Sequence, residues 1–133
     1  MKYLLDSNTC IEFLRERNSV VKLNLAKVSW DDIVLCSVVK AELYYGAHRS
    51  ARSNENLKNM REFFRSFESL PFDDAAAEQY GHLRAFLTEQ GKPIGPNDLL
   101  IAAIALANNV TLVTHNTDEF KRVPGLQMED WQA

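Results

Sequence analysis

Only two cysteines occur in 133 residues. Cys10 and Cys36 match neither a metal-ligand nor a CxxC redox spacing, so they read as reduced, buried side chains of a cytoplasmic protein. Long hydrophobic runs are missing too. The longest, Leu99 to Ala107, has nine residues, about half of the ~20 a membrane span needs. The N-terminal "MKYLLDSN" has three apolar residues before an acid, too few for the core of a signal peptide. There is no excess of positive charge: the formal net charge is −3, which does not advertise nucleic-acid binding. Five glycines and four prolines are scattered along the chain, and no repeat, low-complexity tract or linker divides it. One domain, 1–133, is expected.

Short apolar runs alternate with helical patterns. "YLL" (3–5) precedes a helical stretch from Thr9. "IVLCSVV" (33–39) leads into "KAELYYGA", and "LPF" (70–72) into "DDAAAEQYGHLRAFLTEQG". In the latter, Ala76, Tyr80, Leu83 and Leu87 recur at helical spacing. The apolar helix after Pro96 gives way to "VTLVT" (110–114), and "GLQM" (125–128) closes the series. Short, wholly apolar strands separated by helices indicate a central, mostly parallel sheet covered on both faces. Right-handed crossovers make it a three-layer α/β/α sandwich. The more polar region 47–69 reads as a helical arm or hairpin between the second and third strands.

The acids fall at one edge of this scheme. Asp6 follows the first strand, and Glu42 lies about a turn into the next helix if Ser37 caps it. Asp98 heads the driest helix, and "THNTDE" (114–119) follows the strand "TLV". Ligands of open parallel sheets gather beyond the carboxyl ends of the strands, where strand order reverses. Carboxylates crowded there raise one another's pKa and oppose folding unless a cation neutralises them. The donor set is all oxygen, which favours Mg²⁺ or Mn²⁺ over Zn²⁺. Such a site suits hydrolysis of a phosphodiester. Each acid also has a plainer reading: Asp6 as cap of the helix near Thr9, Asn97 or Asp98 as cap of the apolar helix, Glu42 as a solvated helix residue.

"YLLDSNTCIEFL" (3–14), "SVVKAELYYGA" (37–47), "GKPIGPNDLLIAAIALANNVTLVTHNTDEF" (91–120) and "VPGLQMEDW" (123–131) together resemble the PIN-domain ribonucleases. The likeness is nearest to the VapC toxins of bacterial toxin–antitoxin pairs, and "IGPNDLLIAA" (94–103) is its most specific part. The resemblance implies a PIN-like fold and Mg²⁺-dependent endonucleolytic cleavage of RNA, tRNA among the substrates of some relatives. It implies Asp6 and Asp98 as metal ligands, with Glu42 binding metal or positioning the attacking water. Asn8 matches a polar position that holds Asp6 or substrate, and Thr114 a hydroxyl beside the metal. Ser7 stands where the family usually has threonine. Asn116 stands where many PIN domains carry a fourth acid, and Asp118 or Glu119 is the alternative source of that charge. The resemblance further implies a homodimer and a VapB-type antitoxin whose C-terminal tail lies over the cleft.

RNA would meet basic residues grouped in two places. Arg49, Arg52, Lys58, Arg61 and Arg65 outnumber Glu55 and Glu62 between Ala47 and Phe67, and Arg15, Arg17, Lys22 and Lys27 form a second group. A solvated helix face is the alternative for both. Of the histidines, His115 lies nearest the cleft. The pairs Tyr44-Tyr45 and Phe63-Phe64 are expected in core or protein interface rather than as base-stacking platforms. Two other functions fit parts of the pattern. A phosphoryl-transfer domain with Asp6 as nucleophile would want a second acid two residues on, where Asn8 stands, and a lysine that "VTHNT" lacks. A catalytically silent PIN-like RNA- or protein-binding module would not need Asp6, Glu42 and Asp98 together.

Overall fold

The computed structural model describes residues 1–15 and 20–132. Among them a five-stranded, wholly parallel sheet runs through the middle. It comprises β1 (Tyr3–Leu5), β2 (Ile33–Cys36), β3 (Glu68–Leu70), β4 (Thr111–Val113) and β5 (Met128–Glu129), in the order β3-β2-β1-β4-β5. Tyr3 pairs with Ile33 on one side and Thr111 on the other. Strand order therefore reverses between β1 and β4. β1, β2 and β4 carry runs of Leu, Val and Ile, and their residues are buried except Tyr3, because helices cover both faces.

Helices α1 (Ser7–Arg15), α2 (Val20–Leu25), α3 (Ser37–Arg49), α4 (Ser53–Phe64), α5 (Asp74–Glu89), α6 (Pro96–Asn108) and α7 (Thr117–Phe120) fill the connections. α6 is the innermost. Leu99, Ile101, Ala102, Ala103, Ile104 and Ala105 are all buried, and α6 packs mainly against α5. The helix stops at Asn109, whose left-handed backbone (φ 53°) turns the chain into β4. The region after α3 is a second helix, α4, whose Leu57, Met60, Phe63 and Phe64 are buried, so the helical-arm reading of 47–69 holds.

Several boundaries move. The third strand ends at Leu70 instead of spanning 70–72, since Pro71 has no N–H for the ladder. The last strand is Met128–Glu129, two residues beyond a left-handed turn at Gly125 (φ 77°) and Leu126. α1 begins at Ser7, two residues before Thr9, because Asp6 caps it: Thr9 N–H donates to Asp6 Oδ1 at 2.9 Å. Ser37 does not cap α3. It is the first helical residue, and Cys36, still extended (φ −136°, ψ 161°), holds the cap position without a side-chain bond. Neither Asn97 nor Asp98 caps α6. Gly95 is the cap residue and Pro96 opens the helix, its fixed φ suiting the first position. Asp98 is the third residue, with its carboxyl left for other partners.

Cys10 and Cys36 are free and buried, and burial pushes both thiols up from their ordinary range. They behave as small apolar side chains.

Candidate active site

β1 delivers Asp6 to the carboxyl edge of the sheet, at the point of strand reversal. The Asp6 N–H donates to the Val113 carbonyl at 3.1 Å, continuing the β1–β4 ladder by one residue. Its carboxyl is buried and its Oδ1 is engaged as the α1 cap. The same residue is both cap and candidate ligand, because a strand that runs straight into a helix puts one side chain at both places. Thr9, one turn into α1, donates its hydroxyl to the Val113 carbonyl at 3.2 Å and ties α1 down on β4.

Glu42 comes from the second turn of α3, beyond β2. It is half-buried, and the Ser7 hydroxyl donates to its Oε1 at 2.7 Å. Ser7 therefore does a defined job: it fixes one Glu42 oxygen and leaves Oε2 free to act. Asp98 enters from the head of α6, which reaches the same edge because a crossover helix runs antiparallel to its strands.

Asp6, Ser7, Asn8, Glu42, Asp98 and Asn116, with Ile101 as floor, bound one cavity of about 200 Å³. Three carboxyls from three distant segments thus face one space. Their mutual influence is visible in Asp98, whose carboxyl is pushed up to about 7 by burial first, then by Glu119, and more weakly by Glu42 and Asp6.

Asp118 and Glu119 are the two residues the sequence offers as a fourth acid, and the structure places them differently. Asp118 points outward, 94% exposed, and pairs with Lys121 at 3.3 Å. Glu119, one residue on, turns back. Gly95 N–H donates to its Oε1 at 2.6 Å, the Asn116 amide donates to Oε2, and its carboxyl shares a hydrogen bond with Asp98. Burial alone would raise Glu119, yet those bonds and the Arg122 guanidinium hold it below the usual range. Of these two neighbouring carboxyls, Asp98 is therefore the one that holds a proton below about pH 7, and Glu119 the one that stays charged. The signal lay in helical geometry: in a turn starting at Thr117, Asp118 and Glu119 point about 100° apart. Glu119→Gln should lower the Asp98 pKa below about 7, readable from the pH dependence of its side-chain carbon shift. No movement of that titration would mean that burial alone holds Asp98 up.

The remaining candidates divide. Asn8 is exposed at the rim and Asn116 forms part of the wall. Thr114 is buried behind the wall and accepts from the Asn116 N–H at 3.0 Å, so it shapes the 114–116 turn instead of facing the cavity. His115 points to β5, its Nδ1 2.9 Å from Asp130 Oδ2. Arg49 lies over Tyr45 and donates to its hydroxyl at 2.9 Å. Arg52 makes an exposed pair with Glu55, and Lys58 and Arg61 are exposed on α4. These four basic residues do not line the acid cavity. Arg17 lies outside the described residues. Phe63 and Phe64 are core, as expected, and Tyr44 packs against Phe64, but Tyr45 is 64% exposed.

A larger groove of about 970 Å³ adjoins the acid cavity and shares Ser7, Asn8 and Glu42 with it. Its walls are α1, α3 and α4, with Ile11, Leu14, Val38 and Met60 supplying apolar surface.

The donors of the acid cavity are all oxygen, and the repulsion that holds Asp98 up is what a divalent cation relieves, so these residues fit a hard metal ion. Among the described residues no three acids, histidines or cysteines are yet drawn into a close cage; a cation would have to pull the carboxyls inward.

A parallel sheet in this strand order, with acids gathered at its reversal point, is the architecture of a PIN domain, and the PIN domain pattern matches residues 3–126. Ribonuclease VapC2 of Rickettsia felis is 39% identical over 132 residues, covering 98% of both chains. The tRNA(fMet)-specific endonuclease VapC of Shigella flexneri is 37% identical over 131 residues, again 98% of each. Among solved structures, the VapBC2 complex of R. felis bound to a promoter DNA fragment contains a chain that superposes with a TM-score of 0.92. That chain is 38% identical, over 98% of this chain and 99% of that one. DNA-bound VapBC of Salmonella typhimurium gives 0.92 at 34% identity, over 98% of each. The chain belongs to the PIN-domain family, in its VapC group.

Proposed function

We propose that the protein is the toxin of a VapC-type toxin–antitoxin pair, an endoribonuclease that hydrolyses RNA phosphodiester bonds at a divalent-metal site formed by Asp6, Glu42 and Asp98. The observation that carries this reading is the single cavity bounded by those three acids, in which Asp98 feels the charge of the other two. The names of the relatives, ribonuclease and tRNA(fMet)-specific endonuclease, support RNA as substrate and tRNA as its class. They favour an enzyme over a silent binding module.

Mg²⁺, or Mn²⁺ in its place, is the cation this oxygen set suits. Bound there, it supplies charge neutralisation at a phosphodiester oxygen and acidifies a water. Asp6 and Asp98 would hold it, and Glu119 would add a fourth charge behind Asp98. Glu42, its Oε1 fixed by Ser7, has Oε2 to orient the attacking water and take its proton. Asn8 at the rim meets the substrate. A cation would compete with the proton on Asp98, so activity should fall as pH drops below about 7.

The relatives' complexes support a VapB-type antitoxin as partner, and the apolar end of the groove, with Ile11, Leu14, Val38 and Met60, suits it. A homodimer of single PIN domains spanning 1–133, acting in the cytoplasm, completes the reading. No helix among the described residues is long and apolar enough to cross a membrane.

Purified protein incubated with total bacterial RNA and millimolar Mg²⁺ should cut at a few discrete sites, mapped by sequencing the new ends. Cleavage should stop with EDTA and return with Mn²⁺. RNA left intact under all three conditions would remove the ribonuclease reading.

A further inference from the structure

Tyr45 is the one aromatic side chain of the groove wall, and nothing in the fold requires it to be in water. It projects from α3 three residues after Glu42, on the same helix face, about 5–6 Å away between Cβ atoms. Both residues line the groove. Its neighbour Tyr44 is packed against Phe64 and half-buried, whereas Tyr45 stays 64% exposed. The ring is held from behind: the Arg49 guanidinium lies 5.8 Å from its centroid and donates to its hydroxyl at 2.9 Å. Arg15 lines the same groove from α1, and amide side chains, Asn56 and Asn59, line it from α4.

A similar tyrosine–arginine pair, Tyr80 with Arg84, occurs on α5. There Tyr80 is half-buried and stacked edge-on against Phe72. That pair belongs to neither cavity. The pair on α3 differs in being next to the acids, with its ring open.

We propose that Tyr45 is a stacking platform for the unpaired nucleotide next to the scissile phosphate, with Arg49 and Arg15 meeting the flanking phosphates. This rests on the ribonuclease reading and adds to it a subsite on α3 that takes a base free to splay from its strand. A duplex cannot offer a base to Tyr45. The open ring, the two cations and the amides that can pair with base edges favour a nucleotide over a peptide at this spot.

The test uses a fluorescein-labelled single-stranded RNA containing the mapped cleavage site, with the same sequence locked in a duplex for comparison. Stacking of one base is lost in Tyr45→Ala, so KM for the single strand should rise about tenfold, with kcat within about twofold and an unchanged melting curve. Tyr45→Phe should restore KM, because stacking needs the ring and not the hydroxyl. Arg49→Ala should raise KM and flatten its salt dependence, while Arg84→Ala changes neither. A 2-aminopurine placed beside the cleavage site should lose fluorescence on binding Asp98→Asn protein and keep it on binding the Tyr45→Ala, Asp98→Asn double variant. An unchanged KM in Tyr45→Ala overturns the subsite, as does equal cleavage of duplex and single strand. If Tyr45→Ala weakens only antitoxin binding, the ring belongs to the protein partner and the proposal is wrong. Absence of any cleavage by the unaltered protein would instead remove the ribonuclease reading itself.

Discussion

Asn in place of Asp98 leaves the protein folded and lowers RNA cleavage a hundredfold or more. The fold survives because Asp98 caps nothing. Gly95 holds the cap position of α6, and the helix is anchored by Leu99 and Ile101 to Ala105 in the core. Above about pH 7 the substitution also removes a half-buried like charge, so the melting temperature of the metal-free protein should stay level or rise there. Activity falls because an amide offers one neutral oxygen where a carboxylate brings charge. Metal stabilisation of a phosphoryl transition state is worth several kcal/mol, and each ~1.4 kcal/mol is tenfold in rate. Initial rates on the mapped RNA site, with circular-dichroism melts of the same preparations, provide the check. Wild-type rates in Asp98→Asn would remove Asp98 from the metal site.

Mg²⁺ should stabilise the protein, and more so at pH 7.5 than at pH 5. The sign follows from Asp98. Its folded pKa of about 7 lies above the ordinary 3.8, so the folded state binds a proton more tightly than the unfolded chain. Stability of the metal-free protein therefore declines as pH rises between those values, and the whole penalty is present above about 7. Glu119 works in the opposite direction, but at and below its ordinary 4.5, so its effect is already complete between pH 5 and pH 7.5. A cation relieves the penalty only where Asp98 has lost its proton. At ten times Kd, binding adds about 1.4 kcal/mol, or roughly 5 °C for a domain of this size. Melting curves with and without the metal at both pH values read this directly. An equal Mg²⁺ shift at pH 5 and 7.5, or none, would mean that Asp98 is not a ligand.

The parts of the molecule legible in the sequence are those where one residue type has one physical use. The runs "YLL", "IVLCSVV" and "VTLVT" suit buried parallel strands, and each contains one, although the second strand stops at Cys36 and Ser37 to Val39 already belong to α3. The acids after them followed from the rule that ligands gather at the carboxyl edge. Boundaries were harder where a residue has two uses. Ser37 and Asp98 are both good caps by type, yet backbone geometry gives the cap positions to Cys36 and Gly95. Asp118 and Glu119 are neighbours of equal charge, and only the direction in which α7 faces separates the solvated one from the one bonded to Gly95. Tyr44 and Tyr45 posed the same problem: adjacent on a helix, one turns to Phe64 and the other to open water. Residue identity does not encode facing; packing does.

The acids that bound one cavity lie at positions 6, 42 and 98, with Glu119 bonded behind Asp98, and the strand that joins their two halves, β4, is inserted beside β1 late in the chain. During synthesis, then, the ribosome releases nearly nine-tenths of the polypeptide before a complete centre can exist. A chain that stopped before β4 would carry Asp6, Glu42 and Asp98 but lack Val113, whose carbonyl ties both Asp6 and Thr9 to the edge of the sheet.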